Sequence, residues 1–273
     1  MFENEIVQDN LKILKKYGMQ VVEPATGYLA CGDTGAGKMP EPEVLLQYIL
    51  REIAYEKDLV GKRVLVTAGP TREAIDPVRF ITNHSTGRMG YAIAKMAMLR
   101  GATVTLVSGP VAIEPPMFVD TIAVESAQQM YEAVMAHAKD ADIIIKSAAV
   151  ADYAPEQVSP EKIKKSEGDA SIPLTRTKDI LAALGEKKRE DQFVCGFAME
   201  TEHLLENATA KREKKNVDMI VANSIRQEGA GFGVDTNVAT FITKEGLRSL
   251  PLMSKEALAM EILDEAMRTQ NAC

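Results

Sequence analysis

Arg63-Val64-Leu65-Val66-Thr67 reads as a short β-branched strand, and it leads into Ala68-Gly69-Pro70-Thr71-Arg72-Glu73-Ala74-Ile75-Asp76-Pro77-Val78-Arg79-Phe80-Ile81-Thr82-Asn83-His84-Ser85-Thr86-Gly87 before a helical pattern begins at Arg88. A strand-to-helix connection in an α/β sheet takes about 2–6 residues, so this one is several times longer than a plain link requires. It also carries Arg72, Arg79, Asn83, Ser85 and Thr86, whose side chains donate hydrogen bonds. Length and donors together predict a loop built to hold an anion.

Outward from that loop, strand-like runs at 64–67, 103–107, 121–125, 142–148, 193–197 and 219–222 alternate with helical patterns at 88–100, 127–139, 178–187 and 202–215. Two boundaries carry clear local chemistry: Ser126 and Gln129 have the spacing of a capping box, and Gly101 follows the first helix as a stop. Such alternation predicts an α/β protein with a Rossmann-like open parallel sheet and helices on both faces. Near the end, 238–242 and 247–250 flank Glu245-Gly246 as a C-terminal hairpin, and Ser254 opens a last helix. Residues 1–58 differ. They read as a helix at 4–17 stopped by Gly18, a short strand at 20–23, a Gly- and Pro-rich loop at 24–42, and a junction at 58–61. One helix and one strand cannot bury a core, so this N-terminal arm either packs on the main domain or is a fragment of something larger, and the fragment is favoured.

The chain has 273 residues and a net charge of -7, which argues against broad nucleic-acid or anionic-membrane binding while leaving room for a small basic pocket. Cys31, Cys195 and Cys273 are too few and scattered for a disulfide framework or a zinc knuckle. No apolar run approaches the ~18–20 residues of a membrane span, and the first residues do not form a signal peptide, so the expectation is a cytoplasmic protein.

Two glycine patterns invite nucleotide readings. Gly32 to Lys38 has the glycine and lysine spacing of a P-loop, but Met39 stands where the metal-binding hydroxyl belongs, and Pro40-Glu41-Pro42 opposes a helix there. Gly87-Arg88-Met89-Gly90 opens a helix, where unpaired N–H groups and the dipole attract phosphate. The bland alternative is that Gly87 and Gly90 only allow close helix–strand packing. A dinucleotide fold would also place an acidic residue at the end of the second strand, where this chain has Ser108-Gly109-Pro110.

The fourth strand ends in Lys146-Ser147-Ala148, and Asp152 lies just beyond it, where open α/β sheets bind ligands. Asp152 can accept from a base or sugar, help hold a metal, or simply cap the turn before Pro155. Lys162-Ile163-Lys164-Lys165 is either a solvated face or a means of neutralising a triphosphate. At about 100° per residue with Leu204 at zero, Ala208 falls near about +40°, Lys211 near about -20° and Lys215 near about +20°. Lys211 and Lys215 thus extend an apolar stripe, and inward ammonium groups call for a counter-charge such as phosphate.

These residues carry a resemblance. The run from Gly69 to Gly90, Ala148-Ala149-Val150-Ala151-Asp152-Tyr153, Lys162-Ile163-Lys164-Lys165, Gly196-Phe197-Ala198-Met199-Glu200-Thr201 and Lys211-Arg212-Glu213-Lys214-Lys215-Asn216-Val217-Asp218 occur in this order, and residues 59–268 resemble bacterial phosphopantothenoylcysteine synthetase. Residues 1–58 resemble the end of phosphopantothenoylcysteine decarboxylase, with Cys31 in a segment similar to that enzyme's flap; residues 59–273 would be the synthetase domain. The resemblance implies ligation of 4′-phosphopantothenate to L-cysteine through an acyl-cytidylate formed from CTP, in coenzyme A synthesis. It implies that Asn83 orients the acyl-cytidylate with Arg79 close by, and that Gly87 and Gly90 offer helix donors to a phosphate. Lys146, Ser147 and Ala148 would present backbone groups to the cytidine, and Asp152 would read the nucleotide. Lys162, Lys211 and Lys215 would hold the triphosphate; Phe197 and the turn Thr177-Lys178-Asp179-Ile180 would surround the nucleotide. Lys146 and Thr177-Lys178 differ from the family's side chains, so any role there is backbone-mediated. A divalent cation such as Mg²⁺ is implied with no protein ligand assigned, together with a homodimer, no nucleic-acid partner, and neither flavin mononucleotide nor decarboxylation in this chain.

Overall fold

The computed structural model describes residues 1–165, 171–200, 204–224 and 233–271. By contacts the chain divides into two compact units, Met1–Glu56 and Lys57–Cys273.

The first unit holds α1 (Glu5–Lys16), β1 (Ala25–Tyr28), β2 (Thr34–Lys38) and α2 (Pro42–Ile53). Asn4 caps α1 by accepting from the Ile6 N–H at 3.0 Å, and the left-handed Gly18 follows the helix as the predicted stop. The rest of the arm corrects the expectation. Residues 20–23 form no strand; the Gly- and Pro-rich loop instead folds into the antiparallel hairpin β1–β2, in which the Leu29 N–H donates to Asp33 O at 2.8 Å. Glycines 35 and 37 therefore lie on a strand, not in a phosphate cradle. Pro42 opens a helix rather than opposing one, because the first helical residue needs no N–H partner and the proline ring already has the right φ. Ile6, Ile13, Leu46, Ile49 and Ile53 of the two helices are all exposed.

The second unit runs β3 (Arg63–Ala68), β4 (Arg72–Ala74), β5 (Phe80–Thr82), α3 (Arg88–Leu99), β6 (Thr103–Ser108), β7 (Asp120–Ala123), α4 (Ala127–Ala138), β8 (Ile143–Lys146), β9 (Tyr153–Pro155), β10 (Leu174–Arg176), α5 (Ile180–Lys187), β11 (Phe193–Glu200), α6 (Leu204–Lys214), β12 (Met219–Ser224), β13 (Thr236–Asn237), β14 (Ala239–Ile242), β15 (Leu247–Ser249), β16 (Met253–Ser254) and α7 (Lys255–Asn271). Its main sheet has the order β15-β14-β12-β11-β8-β3-β6-β7. The pairs from β12 to β7 are parallel, and β14 and β15 add the antiparallel hairpin. Counted along the chain, the six parallel strands stand in the doubly wound order 3-2-1-4-5-6, which reverses between β3 and β8.

Alternation along each strand divides the core. Leu65, Val107, Ile144, Val194 and Ile220 pack against Met130 and Val134 of α4, Leu181 and Leu184 of α5, and Ala208 of α6. Val64, Val66, Ile143, Ile145 and Phe193 are buried on the opposite face, where α3 and α7 lie. The predicted capping box is present, with the Gln129 N–H donating to Ser126 Oγ at 3.2 Å. The predicted helix at 202–215 begins outside the described residues and is seen from Leu204. The antiparallel pairs β4–β5 and β9–β10 were not expected, since three residues are too few for alternation to register.

Candidate active site at the switch point

The long loop after β3 does not wander over the surface. Its hairpin β4–β5 carries it out and back, so that it returns across the end of β8: Ala149 N–H donates to Gly69 O at 2.9 Å, and Asn83 Nδ2 donates to Ala149 O at 3.0 Å. The two arginines of the loop hold the hairpin rather than face a cavity. Arg72 stacks on the Phe80 ring at 4.6 Å, and Arg79 pairs with the buried Asp76 while donating to Ile163 O at 2.8 Å. The expectation of an anion-binding loop therefore narrows to its last residues, because these side-chain contacts already engage both guanidinium groups.

Gly87 caps α3 in the left-handed conformation with φ 76°. A Cβ on Gly90 would lie 2.5 Å from Ala68 Cβ, so the packing role is real at that position. The same glycines also line a cavity of about 440 Å³, together with Asn83, Lys146, Ser147 and Ala148. Packing and ligand access coexist because α3 must come close to β3 for its N-terminus to reach the switch point. At Gly109, where a dinucleotide fold needs its carboxylate, an added Cβ would lie 1.8 Å from Pro70 O. The start of the long loop, at Pro70, packs directly against this strand end.

A second cavity, of about 500 Å³, adjoins the first and is lined by Asp152, Thr177, Lys178, Asp179, Ile180 and Lys215 among others. Lys146, Val150, Asp152, Phe197 and Lys211 line both. Thr177 fixes the strand-end loop, donating from Oγ1 to Ala151 O at 2.6 Å and from its N–H to Asp152 O at 3.0 Å. Asp179 caps α5 by accepting from the Ala182 N–H at 2.8 Å and pairs with Lys215. Burial works to raise the Asp179 pKa, but the hydrogen bond from Lys215 and the cap outweigh it and hold the carboxyl below its ordinary value. Lys211 donates to Phe197 O at 3.1 Å, and Lys178 lies over the Tyr131 ring at 4.8 Å. Among the described residues no hydrogen bond or ion pair engages the exposed Asp152 carboxylate.

Of the residues singled out from sequence, Asn83, Gly87, Gly90, Lys146, Ser147, Ala148, Asp152, Thr177, Lys178, Asp179, Ile180, Phe197, Lys211 and Lys215 line one cavity or both. Arg79 and Lys162 do not. Arg79 acts as a strut, and Lys162 is exposed on a segment pinned by the Ile163 N–H to Asp76 at 3.1 Å. Among the lining residues that the sequence did not single out as ligands are Arg88, Asn223 and Lys255. Lys255 is the first residue of α7, where a cation opposes the helix dipole, and that violation was a readable signal. Burial lowers its pKa, with Arg88 adding to the effect and Asp235 opposing it. Asn223, at the end of β12, is buried with no partner for Oδ1 among the described residues, and the strand-end rule would have found it.

Among the described residues no group of three or more His, Cys, Asp or Glu side chains could hold a metal ion. Nor is any helix there long and apolar enough to cross a membrane. Chemically, the site can gather anions: helix donors on one side and ammonium groups on the other, with a free carboxylate between them.

Comparison with known proteins places this arrangement in a family. Residues 59–269 match the family described as DNA/pantothenate metabolism flavoprotein C-terminal domain, and residues 1–54 match the family described as Flavoprotein. The chain is 48% identical over 269 residues to the coenzyme A biosynthesis bifunctional protein CoaBC of Bacillus subtilis (strain 168), covering 97% of this chain and 66% of that protein. It thus spans a little under two thirds of the length of that relative. The crystal structure of the C-terminal domain of a coenzyme A biosynthesis bifunctional protein CoaBC superposes with a TM-score of 0.68 at 50% identity, covering 79% of this chain and 100% of that one. The DNA/pantothenate metabolism flavoprotein from Streptococcus pneumoniae superposes with a TM-score of 0.67 at 26% identity, covering 77% and 100%. With more than half of its length matched and its switch-point site built from the matched residues, the chain belongs to the DNA/pantothenate metabolism flavoprotein C-terminal domain family.

Proposed function

We propose that this chain is a phosphopantothenate–cysteine ligase of coenzyme A biosynthesis that uses CTP. The observation that carries the proposal is the pair of adjoining cavities at the switch point with a shared cationic seam. One cavity is backed by Lys211 and Lys215, suited to a triphosphate; the other is backed by the α3 N-terminus and Asn83, suited to a phosphorylated acyl substrate. The relatives named for coenzyme A biosynthesis support the same pathway.

In the proposed reaction the carboxylate oxygen of 4′-phosphopantothenate attacks the α-phosphorus of CTP. The bond to the β-phosphate breaks, and pyrophosphate leaves with its electron pair. The amine of L-cysteine then attacks the acyl carbonyl, its proton is lost, and CMP departs as the C–O bond breaks. Two anions must meet in the first step, so the protein's contribution is positioning and charge neutralisation. Lys211 and Lys215 neutralise the leaving pyrophosphate, the α3 N–H groups hold a phosphate, and Asn83, fixed by Ala149, orients the acyl group. Asp152 accepts from the nucleotide, while Phe197 and the turn from Thr177 to Ile180 enclose it. Lys162 approaches the triphosphate from the segment that Arg79 and Asp76 anchor. A divalent ion such as Mg²⁺ would arrive with the triphosphate and neutralise part of its charge.

Residues 59–273 form the synthetase domain of the proposal, and residues 1–58 correspond to the end of a flavin-dependent decarboxylase. The enzyme is expected to work as a homodimer in the cytoplasm. Mixing CTP and 4′-phosphopantothenate before cysteine is added should release pyrophosphate; a protein that releases none under those conditions, or releases it equally without 4′-phosphopantothenate, does not follow this route.

A further inference from the structure

Lys146 is the last residue of β8, and its side chain lines both cavities. The half-buried ammonium group donates one hydrogen bond, to Ala148 O at 3.2 Å, and among the described residues it forms no ion pair. An ammonium has three donors, and removing it from water with a single carbonyl partner is unfavourable unless a counter-charge arrives. Lys211, beside it, is in the same condition, with Phe197 O as its one partner among the described residues. The charged groups around Lys146 confirm the imbalance. Lys211 comes from α6 and Lys215 from just beyond it; Asp179 comes from the α5 cap, Asp152 from the loop after β8, and Arg176 and Lys178 from β10 and the following turn. Among the described residues, five cations, Lys146 included, thus line this cavity with two carboxylates, and one of those is already paired with Lys215. His84, Arg88 and Lys255 face the adjoining cavity, adding no negative charge.

We propose that the Lys146 side chain is itself a ligand for the nucleotide polyphosphate, a third ammonium beside Lys211 and Lys215, and that nucleotide binding is coupled to its protonation. The inference rests on the CTP reading above and departs from it in one respect: it gives this position a side-chain role where the family resemblance implies backbone alone. Burial, then the neighbouring Lys211, pushes the Lys146 pKa down to about 8, with Asp179 and Asp152 opposing. A bound polyphosphate raises it again, so the sign of the linkage follows. Well below pH 8 the amine is already protonated and binding takes up no proton there. As pH rises through about 8 the free protein loses that charge, binding must restore it, and affinity falls.

Isothermal titration of CTP in buffers of different ionisation enthalpy, between about pH 7 and about pH 9, tests this directly. The intact chain should take up a fraction of a proton in the upper part of that range. Lys146→Met should bind about tenfold more weakly near pH 7 and show no uptake; Lys146→Arg should retain affinity within about threefold and also show no uptake, because a guanidinium does not titrate there. Unchanged proton uptake in Lys146→Arg overturns the proposal, and it decides the matter even if Lys146→Met does not fold. Wild-type affinity in Lys146→Met, alongside weakened binding in Lys211→Met, overturns the proposal while leaving the CTP reading intact. Failure of the wild-type chain to bind CTP overturns both.

Discussion

Asp76 and Arg79 form an ion pair in which the carboxylate is fully enclosed and the guanidinium only half so. The same carboxylate accepts from the N–H groups of Val78 and Arg79 at 2.9 Å and of Ile163 at 3.1 Å, joining the loop after β3 to the segment that carries Lys162. The hydrogen bond from Arg79 and these N–H donors hold the Asp76 pKa far below its ordinary 3.8. A group depressed in the folded state stabilises above its unfolded pKa and loses that contribution as pH falls through the folded one. Asp76→Asn should therefore be less stable than wild type at neutral pH, with the gap closing below about pH 4. Urea titrations at the two pH values, with hydrogen exchange at residues 159–165, would show it; a gap that persists in acid contradicts the assignment.

Lys211 should be worth about 1.5–3 kcal/mol to CTP binding if it contacts a phosphate. Lys211→Met should show its largest loss at low ionic strength, with a shallower salt dependence than wild type, because exposed attraction is screened within about 10 Å at 0.1 M salt. Equal salt slopes for the two proteins would remove Lys211 from the phosphate contacts.

Gly90→Ala places a methyl 2.5 Å from Ala68 Cβ and 2.9 Å from Thr67 O. Overpacking of this kind costs about 1–3 kcal/mol, so thermal unfolding should shift down by several degrees, about 2–4 °C per kcal/mol for a domain of this size. Because α3 must also back away from β3, phosphate-bearing substrates should bind more weakly. An unchanged melting temperature would show that α3 is free to move.

Cys195 is fully buried, and burial, with Asp218 adding to it, pushes its thiol pKa up. Cys31 is exposed. Alkylation of the native protein should label Cys31 and spare Cys195 until denaturant is added, as peptide mass spectrometry can read. Rapid native labelling of Cys195 would mean that β11 opens on that timescale.

The sequence exposed the parallel strands because each is an apolar run long enough to be told from its flanks, and it exposed Lys211 and Lys215 because helical periodicity places both on the apolar stripe of the 202–215 pattern. It did not expose the arm's hairpin, where Gly-rich β1 and β2 lack an apolar alternation, or the three-residue strands β4 and β9. Arg79 looked like a ligand because a guanidinium in a polar loop is equally suited to phosphate and to carboxylate. Which one it meets depends on Asp76, three residues away in the chain but enclosed only once 159–163 folds against the loop.

Local pattern alone thus determined the α/β class, the strand ends at which a ligand could sit, and the kinds of side chain gathered there, since periodicity and capping are properties of neighbouring residues. Tertiary structure decided the strand order 3-2-1-4-5-6, the return of the long loop across β8, and the meeting of Lys146 with Lys211 from another strand–helix unit. Those facts concern residues distant in the chain, and charges such as those of Lys146 and Lys211 affect one another strongly only after burial has removed the water between them.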